Sequence, residues 1–138
     1  MAATVAIHAL GTSYWLGLLT RWGKHRPAAH PTATTLRVLT STVIVIVVLH
    51  TAQIFVWAAA YELLLPPGVF VSFEEALYFS FVTFTTVGFG DVVLSPGVRL
   101  MSGIEALNGI ILVGWSTALL FAVVQRTMVK LGHGDAGE

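Results

Sequence analysis

Seven residues, Thr85-Thr86-Val87-Gly88-Phe89-Gly90-Asp91, sit between two long apolar runs and ask for a backbone that neither a helix nor an ordinary strand supplies. Gly88 and Gly90 alternate with Val87 and Phe89. Glycine reaches positive φ without steric cost, so successive carbonyls in such a segment can all face one way instead of alternating. A row of carbonyl oxygens turned toward one axis can replace the water shell of a dehydrated cation. In a water-soluble chain these residues would mean little. Between two membrane-crossing helices they constrain the whole fold, because non-helical backbone at membrane depth must be buried in protein or line a wet cavity.

Composition places the chain in a membrane. Hydrophobic residues make up 56% of it and charged residues only 10%, against about 25% charged in soluble domains. Seven basic and seven acidic residues cancel, so no basic excess points to a nucleic-acid partner. There is no cysteine, hence no disulfide framework and no thiolate metal site.

Three apolar stretches compare with the ~20 residues a helix needs to cross roughly 30 Å of hydrocarbon. Val38 to Ala60 carries no formal charge and is bracketed by Arg37 and Glu62. Ser102 to Val124 holds one acid, Glu105, and a helical extension to about Val129 is expected. Ala2 to Thr20 is diluted by Gly11, Gly17, Thr12, Ser13 and His8. A cleaved signal peptide is the rival reading of this first stretch, but no basic residue precedes its apolar run, which favours a retained helix. Arg21, Lys24, Arg26 and Arg37 fall between the first and second spans, and Arg126 and Lys130 follow the last; Arg99 is the exception. The positive-inside rule then makes those two segments cytoplasmic and turns the loop with Glu62, Glu74, Glu75 and Asp91 outward.

Within that outer loop Pro66-Pro67-Gly68 stops the preceding helix. Ser72-Phe73-Glu74-Glu75 has the form of a capping box, with Ser72 satisfying free amides and Glu75 reaching back to Ser72. A short helix from Phe73 to about Thr85, rich in Phe73, Tyr78, Phe79, Phe81 and Phe84, is too short to cross a bilayer at ~1.5 Å per residue. It is expected to enter partway and return as the seven-residue segment.

In this setting TTVGFGD resembles the selectivity filter of the potassium channel family, with Phe89 where Tyr is commoner. The resemblance covers about residues 37 to 129 and is most specific over 78 to 91. It implies a homotetramer, since one chain supplies a quarter of the ring of carbonyls. It further implies that carbonyls of Thr86, Val87, Gly88 and Phe89 hold K+, with Gly90 and Asp91 at the outer mouth and the Val87 and Phe89 side chains directed into the protein. Thr85, Asp91, Tyr78, Phe79 and Val82 are the expected supports: Tyr78 and Phe79 fall where such channels keep an aromatic cuff. Val82 stands where some bacterial members have Glu, so Asp91 is tied less firmly or through Tyr78. Gly109 falls where related inner helices bend; a hinge and close helix packing are the two readings for Gly109 and Gly114.

Glu105 and Asn108 are polar residues within a span, and an intramembrane ionisable group is a functional hypothesis by default. Glu105 is expected to bond the back of the pore helix or line a wet crevice. His50 and Gln53, and similarly His8, are candidates for interhelical hydrogen bonds, with proton sensing the sharper reading for His50. His25 and His30 sit in a basic, headgroup-facing connector. The glycine-rich segment after Leu131 is expected to be disordered. No helix shows the regular Arg or Lys spacing of a voltage sensor, and no catalytic constellation is present, so an enzyme is not expected.

The expected fold is an all-α membrane protein: two core transmembrane helices, a re-entrant pore helix with selectivity filter, and an extra N-terminal transmembrane helix. Its parts are an N-terminal helix over 1–22, a basic cytoplasmic loop over 23–36, a pore domain over 37–129 and a flexible tail over 130–138. The expected function is passive K+ conduction by a homotetramer in the lipid bilayer of a bacterial inner membrane, with permeant K+ and no cofactor. A partner-dependent or non-conducting subunit, and a weakly selective cation channel, are the alternatives; an ion-coupled transporter subunit is disfavoured by the single intact filter.

Overall fold

Four helices follow one another in the computed structural model, which describes the backbone of residues 1–25 and 31–134 and the side chains of residues 1–22 and 33–127. They are α1 (Ala2–His25), α2 (Pro31–Leu64), α3 (Phe73–Phe84) and α4 (Leu100–Gly134), and no strand occurs among the described residues. Three of them contain stretches long and apolar enough to cross a membrane, Ala2–Trp22, Ala33–Leu64 and Leu100–Thr127. The protein is therefore an all-α membrane protein of the expected class.

The helices run further than the apolar stretches alone suggest. α1 continues to His25 and α2 starts at Pro31, so both ends of the expected 23–36 loop are helical. Proline suits a first helical position, where its missing N–H has no intrahelical partner to lose. α4 extends past Val129 to Gly134, taking in the start of the expected tail. The readings placed on His30 and on residues 135–138 lie outside the described residues, as does the His25 side chain.

The expectation of a short capped helix between the two long apolar runs is met closely. α2 ends at Leu64, Gly68 takes a positive φ of 87° in the turn that follows, and α3 spans 12 residues, about 18 Å of rise. Ser72 caps α3 in an extended conformation, its Oγ accepting from the Glu75 amide at 3.2 Å. Glu75 reaches one residue beyond the expected partner: its Oε2 accepts from the Val71 amide at 2.6 Å. Two acidic residues in the first turn, Glu74 and Glu75, also suit the positive end of the helix dipole.

α3 packs against α2 and α4, and α1 packs against α2. Lipid tails are as apolar as leucine, so shape fit and polar contacts hold such helices together more than the hydrophobic effect does. Ile54, Trp57, Phe84 and Leu112 form one buried cluster joining α2, α3 and α4. Tyr61, Phe70, Ala76 and Phe79 form a second that seals the turn after α2 against α3. Gly109 lies directly under the end of α3: a Cβ there would overlap the Phe84 carbonyl, whereas one at Gly114 would meet nothing within 4 Å. Close packing is thus a property of Gly109, and Gly114 faces open space in the single chain. Gly109→Ala is expected to destabilise the fold by about 1–3 kcal/mol through overpacking against rigid backbone. Gly114→Ala is expected to leave it nearly unchanged, and thermal unfolding of the two variants in detergent, compared with the unmodified chain, checks the contrast.

Candidate ion-conducting segment

The chain leaves α3 at Thr85 and enters the segment singled out by the sequence. Thr86, Gly88 and Gly90 adopt positive φ of 61°, 58° and 78°, and Thr86 is the sole non-glycine residue in that region among those described, which excludes Val87 and Phe89 from it. This alternation of left-handed and ordinary residues is the backbone pattern that lets consecutive carbonyls share one direction. At Gly88 and Gly90 an added Cβ would meet nothing within 4 Å of the same chain, so the requirement for glycine there is conformational and not one of space. Thr86 carries a strain of roughly 1–3 kcal/mol without glycine's freedom, of the kind that surrounding contacts must hold in place.

Those contacts come from the last turn of α3. The Thr86 amide donates to the Thr83 carbonyl at 2.9 Å, and the Val82 carbonyl accepts from both Val87 at 3.0 Å and Gly88 at 3.3 Å. Thr85 turns its hydroxyl back into the helix, donating to the Phe81 carbonyl at 2.7 Å. Val82 therefore touches the segment through its backbone carbonyl, a role that side-chain reasoning at this position did not bring out.

At the outer end the Tyr78 hydroxyl donates to Asp91 Oδ2 at 2.6 Å. That bond holds the carboxyl of the exposed Asp91 below the usual carboxylate range; a desolvation contribution works against it, and the backbone amides of Asp91 and Val92 assist it. The same bond raises the Tyr78 phenol. Phe79, expected beside Tyr78 in an aromatic cuff, borders the same groove but packs its ring on the α2 side. It is buried with its ring 5.3 Å from Tyr61 and 5.4 Å from Phe70, bracing α3 against α2 and the turn.

Behind α3 lies a set of buried polar groups. Glu105 is fully buried, and Oε2 accepts from the Tyr61 hydroxyl at 2.6 Å. Its other oxygen and the buried Ser80 hydroxyl of α3 make no hydrogen bond within the chain. The hydrogen bond of Glu105 thus goes to α2 and not, as expected from the sequence, to the short helix α3. One turn on, Asn108 Oδ1 accepts from Thr4 of α1 at 2.7 Å and from the Trp57 indole of α2 at 3.0 Å, so three helices meet at one amide oxygen. His50 bonds both Gln53 and Ser116 at 3.0 Å and also approaches the Phe84 ring at 5.7 Å. Tyr61, Trp57, Thr4 and Ser116 were not foreseen as partners, because each comes from another helix and no spacing in the chain links them.

The inner faces remain uncovered in one chain. Val87 and Phe89 are 55% and 70% exposed, and a groove of about 690 Å³ opens between the segment and the start of α4, lined among others by Thr86, Gly88, Asp91, Ser102 and Gly103. Three helices long and apolar enough to span, with a short helix and a strained glycine-bearing return between the last two, define a membrane protein of pore-loop architecture. Comparison with known proteins carries the assignment further. The family model described as "Ion channel" matches residues 42–126, more than half of the sequence. The chain belongs to that ion channel family, and to its potassium channel type. It is similar to human potassium channel subfamily K member 5, with 40% identity over 62 residues covering 41% of this chain and 12% of that protein. The match thus spans about an eighth of the relative's length. No solved structure matches the chain.

The Tyr78–Asp91 bond has a pH signature. Because the folded Asp91 value is depressed, the bond's contribution is present above the ordinary carboxylate value of about 3.9 and is lost as pH falls through the lowered one. Tyr78→Phe removes the main cause, so the Asp91 titration should move upward toward its ordinary range. Carboxyl-labelled NMR of the purified protein in detergent checks this; an unmoved titration would show that Tyr78 does not hold the carboxylate.

Proposed function

We propose that this chain is a potassium-selective channel that conducts K+ passively through a homotetrameric pore. The observation that carries the reading is the alternation of positive φ at Thr86, Gly88 and Gly90 within TTVGFGD, held at the end of a helix too short to span. Carbonyls of Thr86, Val87, Gly88 and Phe89 would form successive ion sites, with Gly90 and Asp91 at the outer mouth. An ion entering such a site exchanges water oxygens for carbonyl oxygens at little net cost, and several weak sites in series let one ion displace the next. The α3 helices would aim their C-terminal ends, each with roughly half a negative charge, at the inner cavity and favour a cation there. Val82, Thr85, Tyr78 and Asp91 serve as filter supports, and Phe79 supports them from behind.

Exposure of Val87 and Phe89, and the open groove beside them, support assembly, since a neighbouring copy would cover both. α4 would line the pore, with Gly109 as the place where it bends and Phe84 as the contact it bends against. The site of action is a lipid bilayer crossed several times, in our reading a bacterial inner membrane. K+ is the permeant ligand and no cofactor is needed.

Proteoliposomes holding the purified protein should pass K+ much faster than Na+ under matched gradients. Gly88→Ala puts a side chain on a residue at φ 58°, at about 1–2 kcal/mol per subunit, and should lower K+ flux at least about tenfold. Light scattering in detergent should give a tetramer for both proteins. A tetramer that moves neither ion refutes the conduction reading.

A further inference from the structure

We propose that His8, Gln53, His50 and Ser116 form a proton-operated latch that fastens the N-terminal helix to the inner helix, closed while both imidazoles are neutral and released when either takes up a proton. The four side chains close a ring of hydrogen bonds across α1, α2 and α4. Gln53 Nε2 lies 3.0 Å from His8 Nδ1, and Gln53 Oε1 lies 3.0 Å from His50 Nδ1. Ser116 Oγ lies 3.4 Å from His8 Nε2 and 3.0 Å from His50 Nε2.

With the amide in this orientation one arrangement of hydrogens satisfies every pair. The amide N–H donates to His8 Nδ1, His8 Nε2–H donates to Ser116, the Ser116 hydroxyl donates to His50 Nε2, and His50 Nδ1–H donates to Gln53 Oε1. Each imidazole gives one bond and takes one, which is what a neutral ring offers. A further proton must land on His8 Nδ1 or His50 Nε2. As oriented, each of those atoms faces a donor, so the added proton ends this pattern: the Ser116 hydroxyl or the Gln53 amide must turn to accept it, and the ring is left holding an uncompensated charge.

The surroundings offer no compensation. The two imidazoles are stacked with centroids 5.4 Å apart, His8 is fully buried, and Trp115 and Phe84 close the sides at 5.4 Å from His8 and 5.7 Å from His50. From α1 the titratable group at this point is His8, from α2 it is His50, from α3 the neighbour is Phe84, and from α4 the neighbours are Ser116 and Trp115. No Asp, Glu, Lys or Arg is among the pair's partners in the described residues. The nearest acid along α4 is Glu105, some 16 Å up the helix and engaged with Tyr61. A cation placed here is unpaired in a low-dielectric setting, and a second would sit against the first.

Release would reach the pore because of where the ring lies. Ser116 is on α4 below Gly109, and His50 borders Phe84, whose carbonyl packs on Gly109. Freed from Ser116, α4 gains the room to bend, so acidification is expected to raise conduction. This last step rests on the channel reading above; the latch itself does not.

The test compares the full chain with His50→Gln, and with His8→Gln as a second variant should the first fail to fold. His25, His30 and His133 remain in all three and cancel. Between pH 7.5 and 5 the Tm of the unmodified protein in detergent should fall by about 5 °C more than that of either variant. Over the same range its K+ flux in liposomes should rise about fivefold relative to the variant. A Tm that responds to pH equally in all three overturns the latch. A Tm that behaves as expected while relative flux stays flat or falls overturns its coupling to the pore. If no protein conducts at any pH, the channel reading fails instead, and the Tm comparison still decides whether the histidine ring is a proton-sensitive fastening.

Discussion

Backbone amides and carbonyls left over at the end of a helix must find partners, and the rest of this structure is arranged around one place where they do. At the end of α3 the carbonyls of Phe81, Val82 and Thr83 have no further helical turn to bond. The amides of Thr85 to Gly88 take them up, and in doing so bend the chain into the alternating conformation seen at Thr86, Gly88 and Gly90. The unsatisfied end of a short helix thereby becomes the mould for the return segment. α3 must end at Thr85 for this to work, and its Ser72 cap and the Tyr78–Asp91 bond fix the two ends of the loop that results.

Holding α3 in place is the task of α2 and α4. Gly109 lets α4 touch the Phe84 carbonyl without an intervening side chain, and Phe79, Tyr61 and Phe70 fill the space on the α2 side. Between the helices the buried contacts are unusually polar. Trp57 and Thr4 share Asn108, Trp15 donates to Thr42 at 3.0 Å, and Tyr61 reaches Glu105. Interhelical bonds of this kind are worth about 0.6–2 kcal/mol each in a membrane. They tie α1, which lies before the family match begins at residue 42, into the same bundle as the pore elements.

Much of this was legible in the residues. Ser72 and Glu75 announced the start of α3 because a capping box is a local interaction between residues three apart. Pro66-Pro67-Gly68 announced the end of α2, and the uncharged stretch between Arg37 and Glu62 announced its span, each through chemistry that neighbours alone decide. Tyr78 as a partner for Asp91 followed from what Val82 and Phe79 cannot offer. The orientation of Phe79 did not follow: the same aromatic residue serves equally beside the return segment or against α2, and only the position of Tyr61 decides. Helix ends at His25 and Gly134 were missed because helices in such bundles outrun their apolar cores, which alone are visible as hydropathy.

Glycine spacing, apolar length, capping residues and the TTVGFGD run are properties of adjacent residues, and by themselves they determined that this is an all-helical membrane protein with a re-entrant loop of channel type. They act over a few residues, within reach of one turn or one hydrogen bond. Partnership across helices was decided by tertiary structure alone. Glu105 meets Tyr61, Asn108 meets Thr4 and Trp57, and His8 meets His50 and Ser116, at separations in the chain that no periodicity connects. Which buried polar group faces which depends on the rotation and depth of each helix. Those are set by the packing of Gly109 and the aromatic clusters together, and they exist only once all four helices are in place.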